Sequence, residues 1–303
     1  MSEGRTSKSW LLRLAFTAAA LGLWWWLARI SPAEAVEAVL QIAPGSLAAG
    51  AAFGLAGVWI GGLRWRLLLE AFGAARAPAT NELARLHLIA LFYNTFLPAN
   101  VMGDVLRAHL TREAFEKKAS AYFIVLLERV FGLAGLLLLA GSLMLVAPIG
   151  ELGALRWVAP IGLLGAAAAS ASPFLIHAIG AKLPARLAVL TQAAPPLVAP
   201  HRLLGVLALS VLSQGAAAMI GFFVVASFAP VAWHASLIVF PVALVATYAP
   251  TIAGIGTREA AFVVVLGAIG VSEGAATATA LAYLGVQLGL ALLGGLLHLL
   301  QGR

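Results

Sequence analysis

Six apolar stretches of this chain are each long enough to cross a membrane. The hydrocarbon layer of a bilayer is roughly 30 Å thick, which takes about 20 helical residues to span. The chain has 62% hydrophobic and 10% charged residues, more apolar surface than a soluble core can bury. We therefore predict an all-α integral membrane protein with about six transmembrane helices. The stretches are Trp10–Ile30, Pro44–Leu69, Ala119–Val146, Leu155–Ala178, Leu203–Phe228 and Ala275–Leu300.

Two further apolar stretches, Leu83–Leu110 and His234–Ile269, are interrupted near their centres by proline and glycine. Proline has no backbone N–H and disfavours helix in the residue before it. Each stretch should therefore form two half-helices, with Asn100 and Thr257 as suitable N-caps; the alternative is an ordinary proline kink within a full span. The predicted re-entrant hinge residues are Pro98, Asn100, Gly103, Pro250, Gly254 and Gly256.

The distribution of loop charges predicts the orientation of the chain. Arg5, Lys8 and Arg13 indicate a cytoplasmic N-terminus, because lysine and arginine favour cytoplasmic loops. If both broken stretches re-enter the membrane rather than cross it, nearly all the other loops that carry lysine and arginine also lie in the cytoplasm. One of these is the loop to which we assign Arg64 and Arg66. The C-terminus is then cytoplasmic as well.

The two halves of the single domain 1–303 have the same predicted order of elements. Residues 1–150 and 151–303 each contain two spans, a broken segment and a span. Three crossings per half invert the second half, so we predict an inverted repeat. Phe96-x-Pro98 is echoed by Tyr248-x-Pro250.

Six charged residues lie at the broken segments or inside the third span. At about 2.5 to 3.5 kcal/mol each, their insertion into lipid would cost on the order of 15 to 20 kcal/mol, more than the roughly 5 to 15 kcal/mol that stabilises a typical domain. They must therefore pair or line water. These candidate substrate-binding residues are Asp104, Arg107, Glu128, Arg129, Arg258 and Glu259.

Neighbouring charges on one helix need partners elsewhere. Glu128 and Arg129 point about 100° apart, so we predict that Glu128 pairs with Arg107 or Arg258. Arg129 should pair with Asp104 or Glu259, and these pairs should connect the halves. The alternative is a purely structural ion-pair lattice.

Other kinds of site find little support in the sequence. The chain has no cysteine, its six histidines lack metal-binding spacing, and no nucleophile elbow or nucleotide loop is present. Its basic residues form no stripe for nucleic acid. We therefore expect no metal, no cofactor, no nucleic-acid partner and no catalytic constellation.

Three ordered motifs resemble the lysylphosphatidylglycerol synthase transmembrane family, which includes the flippase half of the multiple peptide resistance factor. They are Phe92-x-Asn94-x-x-x-Pro98 with Gly103-Asp104-x-x-Arg107, then Glu128-Arg129 with Gly132, then Pro250 with Gly254-Ile255-Gly256-Thr257-Arg258-Glu259. A departure is Met102, where a second glycine is often expected. The resemblance implies a membrane domain that handles a lipid with a phosphate-containing head group, with the six charged residues as its functional residues. The full-length synthases carry a soluble aminoacyl-transferase domain, so we expect this chain not to make aminoacyl lipid itself.

These observations lead to one main function and two alternatives. The first is a flippase-like, multi-pass translocase of a bacterial inner membrane. It would move an anionic or phosphate-containing lipid, such as an aminoacylated phospholipid or a polyprenyl-phosphate-linked lipid. The second is an accessory subunit that docks a lipid-modifying glycosyl- or aminoacyl-transferase. The third is a proton-coupled solute transporter. Gly61-Gly62 and Gly294-Gly295 permit close helix packing, either within one chain or in a homodimer.

Overall fold

The computed structural model describes residues 39–96, 101–146, 158–179, 193–248 and 256–301, together with Gly22 and Glu37. Within these residues the protein is helical, without strands. Short 3-10 turns, Arg112–Ala114 and Val245–Tyr248, follow the third and seventh of the helices described. In chain order these helices are α1 (Pro44–Ala71), α2 (Thr80–Phe96), α3 (Met102–Thr111), α4 (Ala119–Val146), α5 (Val158–Ile179), α6 (Arg202–Val225), α7 (Trp233–Leu244), α8 (Thr257–Gly267) and α9 (Glu273–Gln301).

Five of these helices, α1, α4, α5, α6 and α9, are long and apolar enough to cross a membrane. They coincide with five of the six predicted spans to within about three residues at each end. The other predicted span, Trp10–Ile30, lies outside the described residues. The protein is a multi-pass membrane protein.

Each broken stretch consists of two helices that pack side by side. In the first, the backbone N–H of Gly103 at the start of α3 donates to Asn94 Oδ1 near the end of α2, at 2.8 Å. In the second, the rings of Phe240 and Phe262 meet edge to face, with centroids 5.1 Å apart. We call α2 with α3 the first hairpin and α7 with α8 the second hairpin.

The first hairpin leaves and rejoins the bundle at the same end. The N–H of Ala75, before α2, donates to the carbonyl of Ala114, just after α3, at 2.9 Å. The segment before α6 joins them, since the N–H of Val198 donates to the carbonyl of Ala71, also at 2.9 Å. We call this the basic end, because the described loops at it carry Arg76, Arg112, Lys117 and Lys118.

The opposite end of the bundle brings together other segments. Ser46 at the start of α1 lies beside Ser227 after α6, with their hydroxyl oxygens 3.1 Å apart. Ile42, Val224 and Ala282 form a buried apolar cluster nearby. The second hairpin begins after Ser227 and is followed by α9, which contains Ala282.

Helices of the two halves pack against each other, and closely packed glycines occur both between the halves and within the first half. Helix α1 packs along α6, α2 packs against α9, and α4 packs against α7. A Cβ at Gly294 of α9 would overlap the carbonyl of Leu88 in α2, and one at Gly62 of α1 would overlap the backbone of Ala84. Both glycine pairs noted in the sequence therefore contribute contacts within the chain.

Candidate functional site

Three helices of the first half bring five charged side chains together in the interior. Helix α1 supplies Arg64, α3 supplies Asp104 and Arg107, and α4 supplies Glu128 and Arg129. We call these five residues the charged cluster. Asp104 and Arg107 meet because residues three apart share one face of a helix, whereas the other contacts depend on how the three helices pack.

Glu128 lies at the centre of the charged cluster and is 2% exposed. Arg64 Nη2 donates to its Oε1 at 2.8 Å. Arg107 Nη1 lies 2.6 Å from its Oε2 as an ion pair, although Oε2 accepts no well-directed hydrogen bond. Two guanidinium groups on one carboxylate offset the cost of removing that charge from solvent.

Asp104 connects the centre of the cluster to its edge. Its Oδ1 accepts a hydrogen bond from Arg107 Nη2 at 2.7 Å, and its Oδ2 forms an ion pair with Arg129. The Arg107 side chain is 5% exposed, while that of Arg129 is 39% exposed. Arg129 is thus the outer member of the charged cluster.

Arg107 contacts two aromatic ring systems as well as carboxylates. Its Nη1 lies 3.2 Å from His87 Nδ1 of α2, and its guanidinium carbon lies 4.9 Å from the ring centroid of the buried Trp65 of α1. A guanidinium over a tryptophan face is stabilised by the ring quadrupole. Contacts from four helices therefore fix the orientation of Arg107.

The charged cluster lines a cavity of about 200 Å³, which we call the first chamber. The charged residues described along its wall are three arginines and two carboxylates, an excess of one positive charge. A second chamber of about 210 Å³ lies between α1, α2, α6 and α9. The residues that line both chambers are Arg64, His87, Leu91 and Gln214.

The two remaining predicted site residues form a separate pair in the second half. Arg258 Nη2 lies 2.5 Å from Glu259 Oε1, and both side chains are buried. Glu259 Oε2 also accepts the N–H of Gly256 at 2.6 Å, which caps α8. The guanidinium carbon of Arg258 lies 5.3 Å from the ring centroid of Tyr283 in α9.

The predicted pairs are confirmed within the first half, and their predicted bridging of the halves is wrong. Glu128 pairs with Arg107, and Arg129 with Asp104, all from residues 1–150. Hydrogen bonds to uncharged acceptors connect the halves at this site. Arg64 Nη1 donates to Ser213 Oγ at 3.2 Å, and Gln214 Nε2 donates to the carbonyl of Gly132 at 3.1 Å.

The sequence analysis missed Arg64 and His87. Arg64 was assigned to a cytoplasmic loop, yet it lies inside α1 and is 8% exposed. Its position within the predicted span Pro44–Leu69 was the available signal. His87 was treated as one more histidine without metal spacing. It lies seven residues before Asn94 on α2, the same helix face, and this spacing was the clue.

Two of the predicted hinge glycines have a visible structural role. A Cβ on Gly103 would overlap the carbonyl of Ala90, so only glycine lets α3 approach α2 this closely. Gly256 has a φ of 87°, a left-handed conformation that glycine adopts at little cost. Pro98, Asn100, Pro250 and Gly254 lie outside the described residues.

The predicted N-cap at Thr257 is wrong by one residue. Gly256 occupies the cap position and Thr257 is the first residue of α8. The Thr257 hydroxyl donates instead to the carbonyl of Ala246, after α7, at 3.0 Å. It therefore ties the two helices of the second hairpin together. Helix α3 begins at Met102, with Val101 in its cap position.

Comparison with known proteins gives one broad match. A family model for the lysylphosphatidylglycerol synthase TM region matches residues 10–295, which include the charged cluster and both hairpins. No curated protein matches the chain. The matched region covers nearly the whole chain and contains all three motifs noted in the sequence. The chain belongs to the lysylphosphatidylglycerol synthase transmembrane family.

Proposed function

We propose that this protein is a lipid translocase that moves an anionic or phosphate-containing lipid between the leaflets of a bacterial inner membrane. Candidate lipids are an aminoacylated phospholipid or a polyprenyl-phosphate-linked lipid. The observation that carries the proposal is the charged cluster, in which three arginines and two carboxylates line a chamber among apolar helices. Charges of this kind are costly in a membrane and commonly mark a substrate pathway.

The excess positive charge of the first chamber favours an anion. In a low-dielectric interior a charge is poorly screened, so a phosphate that enters gains from the arginines more than it would in water. Arginine also matches phosphate geometry through two parallel hydrogen bonds. A phosphate could replace the Asp104 carboxylate on Arg129 while Arg107 still holds Asp104, which would make entry and release an exchange of partners.

The two hairpins support alternating access with a re-entrant topology. The first begins and ends at the basic end of the bundle. We infer that the second enters from the opposite end, where Ser227 precedes it and Ala282 belongs to the helix that follows it. Hairpins entering from opposite ends are what an inverted repeat with cytoplasmic termini requires. Described charges support this orientation, since Glu37 and Glu273 lie towards the opposite end while arginine and lysine dominate the basic end.

Transport of fluorescent lipid in vesicles tests the proposal. The purified chain is reconstituted into phosphatidylcholine vesicles containing phosphatidylglycerol or phosphatidylcholine with a fluorophore on one acyl chain, and an impermeant quencher reports the rate of exchange. We expect accelerated exchange of phosphatidylglycerol alone. Arg107→Gln should abolish it, whereas Arg112→Gln, a surface arginine that pairs with the exposed Glu113, should preserve it.

The same assay separates translocation from an accessory role. If neither phosphatidylglycerol nor a fluorescent polyprenyl phosphate exchanges faster than in empty vesicles, the translocase proposal fails. Co-purification with a soluble lipid-modifying transferase, unaffected by Arg107→Gln, would then support an accessory subunit.

A further inference from the structure

An apolar groove runs between α3 and α4 on the outer surface of the first hairpin. It has a volume of about 170 Å³ and is lined by Val101, Val105, Ala108, Tyr122, Val125 and Leu126. Val105, Tyr122 and Leu126 are each more than 40% exposed. The groove thus offers apolar side chains at the surface of a membrane-embedded chain.

The inner end of the groove coincides with the edge of the first chamber. Asp104 and Arg129 line both the groove and the chamber, and they form an ion pair with each other. The 39% exposure of the Arg129 side chain fits a position at this boundary. One apolar and one charged compartment therefore meet at a single ion pair.

We propose that this groove binds the hydrocarbon chain of the lipid whose phosphate occupies the first chamber, and that the phosphate enters sideways past Arg129. The inference rests on the proposed function and adds a route of entry and a second subsite. The occupant follows from the chemistry of the two compartments. A molecule that fills both carries an anionic group joined to a hydrocarbon chain, either directly, as in a polyprenyl phosphate, or through glycerol, as in a phospholipid.

The chamber and the groove also give the phosphate and the hydrocarbon chain of the lipid two different environments. When the phosphate leaves the membrane interface, it would enter a site with three guanidinium groups. These charges limit the cost of desolvating the phosphate. The hydrocarbon chain would never leave apolar surroundings, because the groove opens outward between two helices. Because lipid tails are as apolar as the groove, moving the hydrocarbon chain into it costs little, and the head group supplies the selectivity.

Photo-crosslinking of the wild-type chain tests the groove without depending on transport. The probe is phosphatidylglycerol with a diazirine on the acyl chain, in phosphatidylcholine vesicles, and labelled residues are mapped by mass spectrometry. We expect labelling at Val105, Tyr122 and Leu126. Excess unlabelled phosphatidylglycerol should suppress this labelling on the order of tenfold more strongly than excess phosphatidylcholine does, which is the preference that one charge-assisted contact to the head group supports. Labelling at Leu164, an exposed residue of α5, should show no head-group preference.

The possible outcomes distinguish a failure of the groove proposal from a failure of the translocase proposal. If the groove residues show the same lack of preference as Leu164, the groove is ordinary lipid-facing surface and the inference is overturned, whatever the transport assay shows. If labelling is selective but the wild type moves no lipid, the groove proposal is supported and the translocase proposal fails.

In an active protein, Leu126→Trp should slow phosphatidylglycerol exchange while Leu164→Trp leaves it unchanged. Unchanged exchange in Leu126→Trp would contradict the inference.

Discussion

Arg64 and Glu128 are 64 positions apart in the chain, yet Arg64 Nη2 lies 2.8 Å from Glu128 Oε1 in the interior of the first half. The pair joins α1 to α4, and the same guanidinium reaches Ser213 of α6 in the second half at 3.2 Å. One arginine in the middle of an apolar helix thus links the charged cluster to the interface between the halves. If one half moved against the other, the Arg64 side chain would transmit the displacement to Glu128.

Arg64→Ala should cost both stability and function. It leaves Glu128 with one guanidinium fewer, and breaking a buried pair typically costs about 3 to 5 kcal/mol. Thermal unfolding in detergent measures the loss, and vesicle exchange of phosphatidylglycerol measures the activity. Arg66→Ala is the control, because Arg66 lies two residues away and forms a partly exposed pair with Glu70, worth about 1 kcal/mol or less. Equal effects of the two substitutions would contradict a special role for Arg64.

Glu128→Gln should bind anionic lipid more tightly while moving it more slowly. The substitution keeps the shape of the side chain but raises the positive excess of the first chamber by one charge. Native mass spectrometry of the extracted protein should show more retained phosphatidylglycerol, and vesicle exchange should slow. The matched control is Glu113→Gln at the exposed Glu113, which should change neither. Lower lipid retention by Glu128→Gln in a folded protein would argue that the cluster is structural.

Gly103→Ala should destabilise the first hairpin. The added methyl group would overlap the Ala90 carbonyl, so α3 must move away from α2, and overpacking of this kind costs about 1 to 3 kcal/mol. Gly215→Ala in α6 is the control, since nothing lies within 4 Å of the added atom. There, alanine should be neutral or stabilise the helix by about 0.5 to 1 kcal/mol. The measurement is the unfolding temperature of each variant. A lower unfolding temperature for Gly215→Ala than for Gly103→Ala would contradict the prediction.

Single cysteines flanking each hairpin test whether the hairpins re-enter. The chain has no cysteine, so Arg76→Cys, Glu116→Cys, Ala226→Cys and Ser272→Cys each introduce one thiol, all at exposed positions. Labelling of intact cells with an impermeant maleimide should reach residues 226 and 272 and leave residues 76 and 116 unmodified until the membrane is opened. If residues 76 and 116 label from opposite sides, the first segment crosses the membrane fully.

The sequence determined the class of the protein, the bounds of its described apolar helices and four of the five residues that form the charged cluster. These follow from properties that are local along the chain. A run of about 20 apolar residues needs lipid as its solvent, and charges within apolar stretches stand out by composition. Asp104 and Arg107 were also predictable as neighbours, because their spacing of three fixes them on one helix face.

Only the tertiary structure decided which charges meet between helices. Glu128 could have turned towards Arg107 or Arg258, and the rotation and packing of α4 against α1 and α3 selected Arg107 together with Arg64. Those packing contacts depend on side-chain shape, such as the absence of a Cβ at Gly103 that lets α3 lie against α2. Hydropathy and spacing carry no information about such contacts between distant segments, so the role of Arg64 and the separation of Arg258–Glu259 from the charged cluster became visible only in three dimensions.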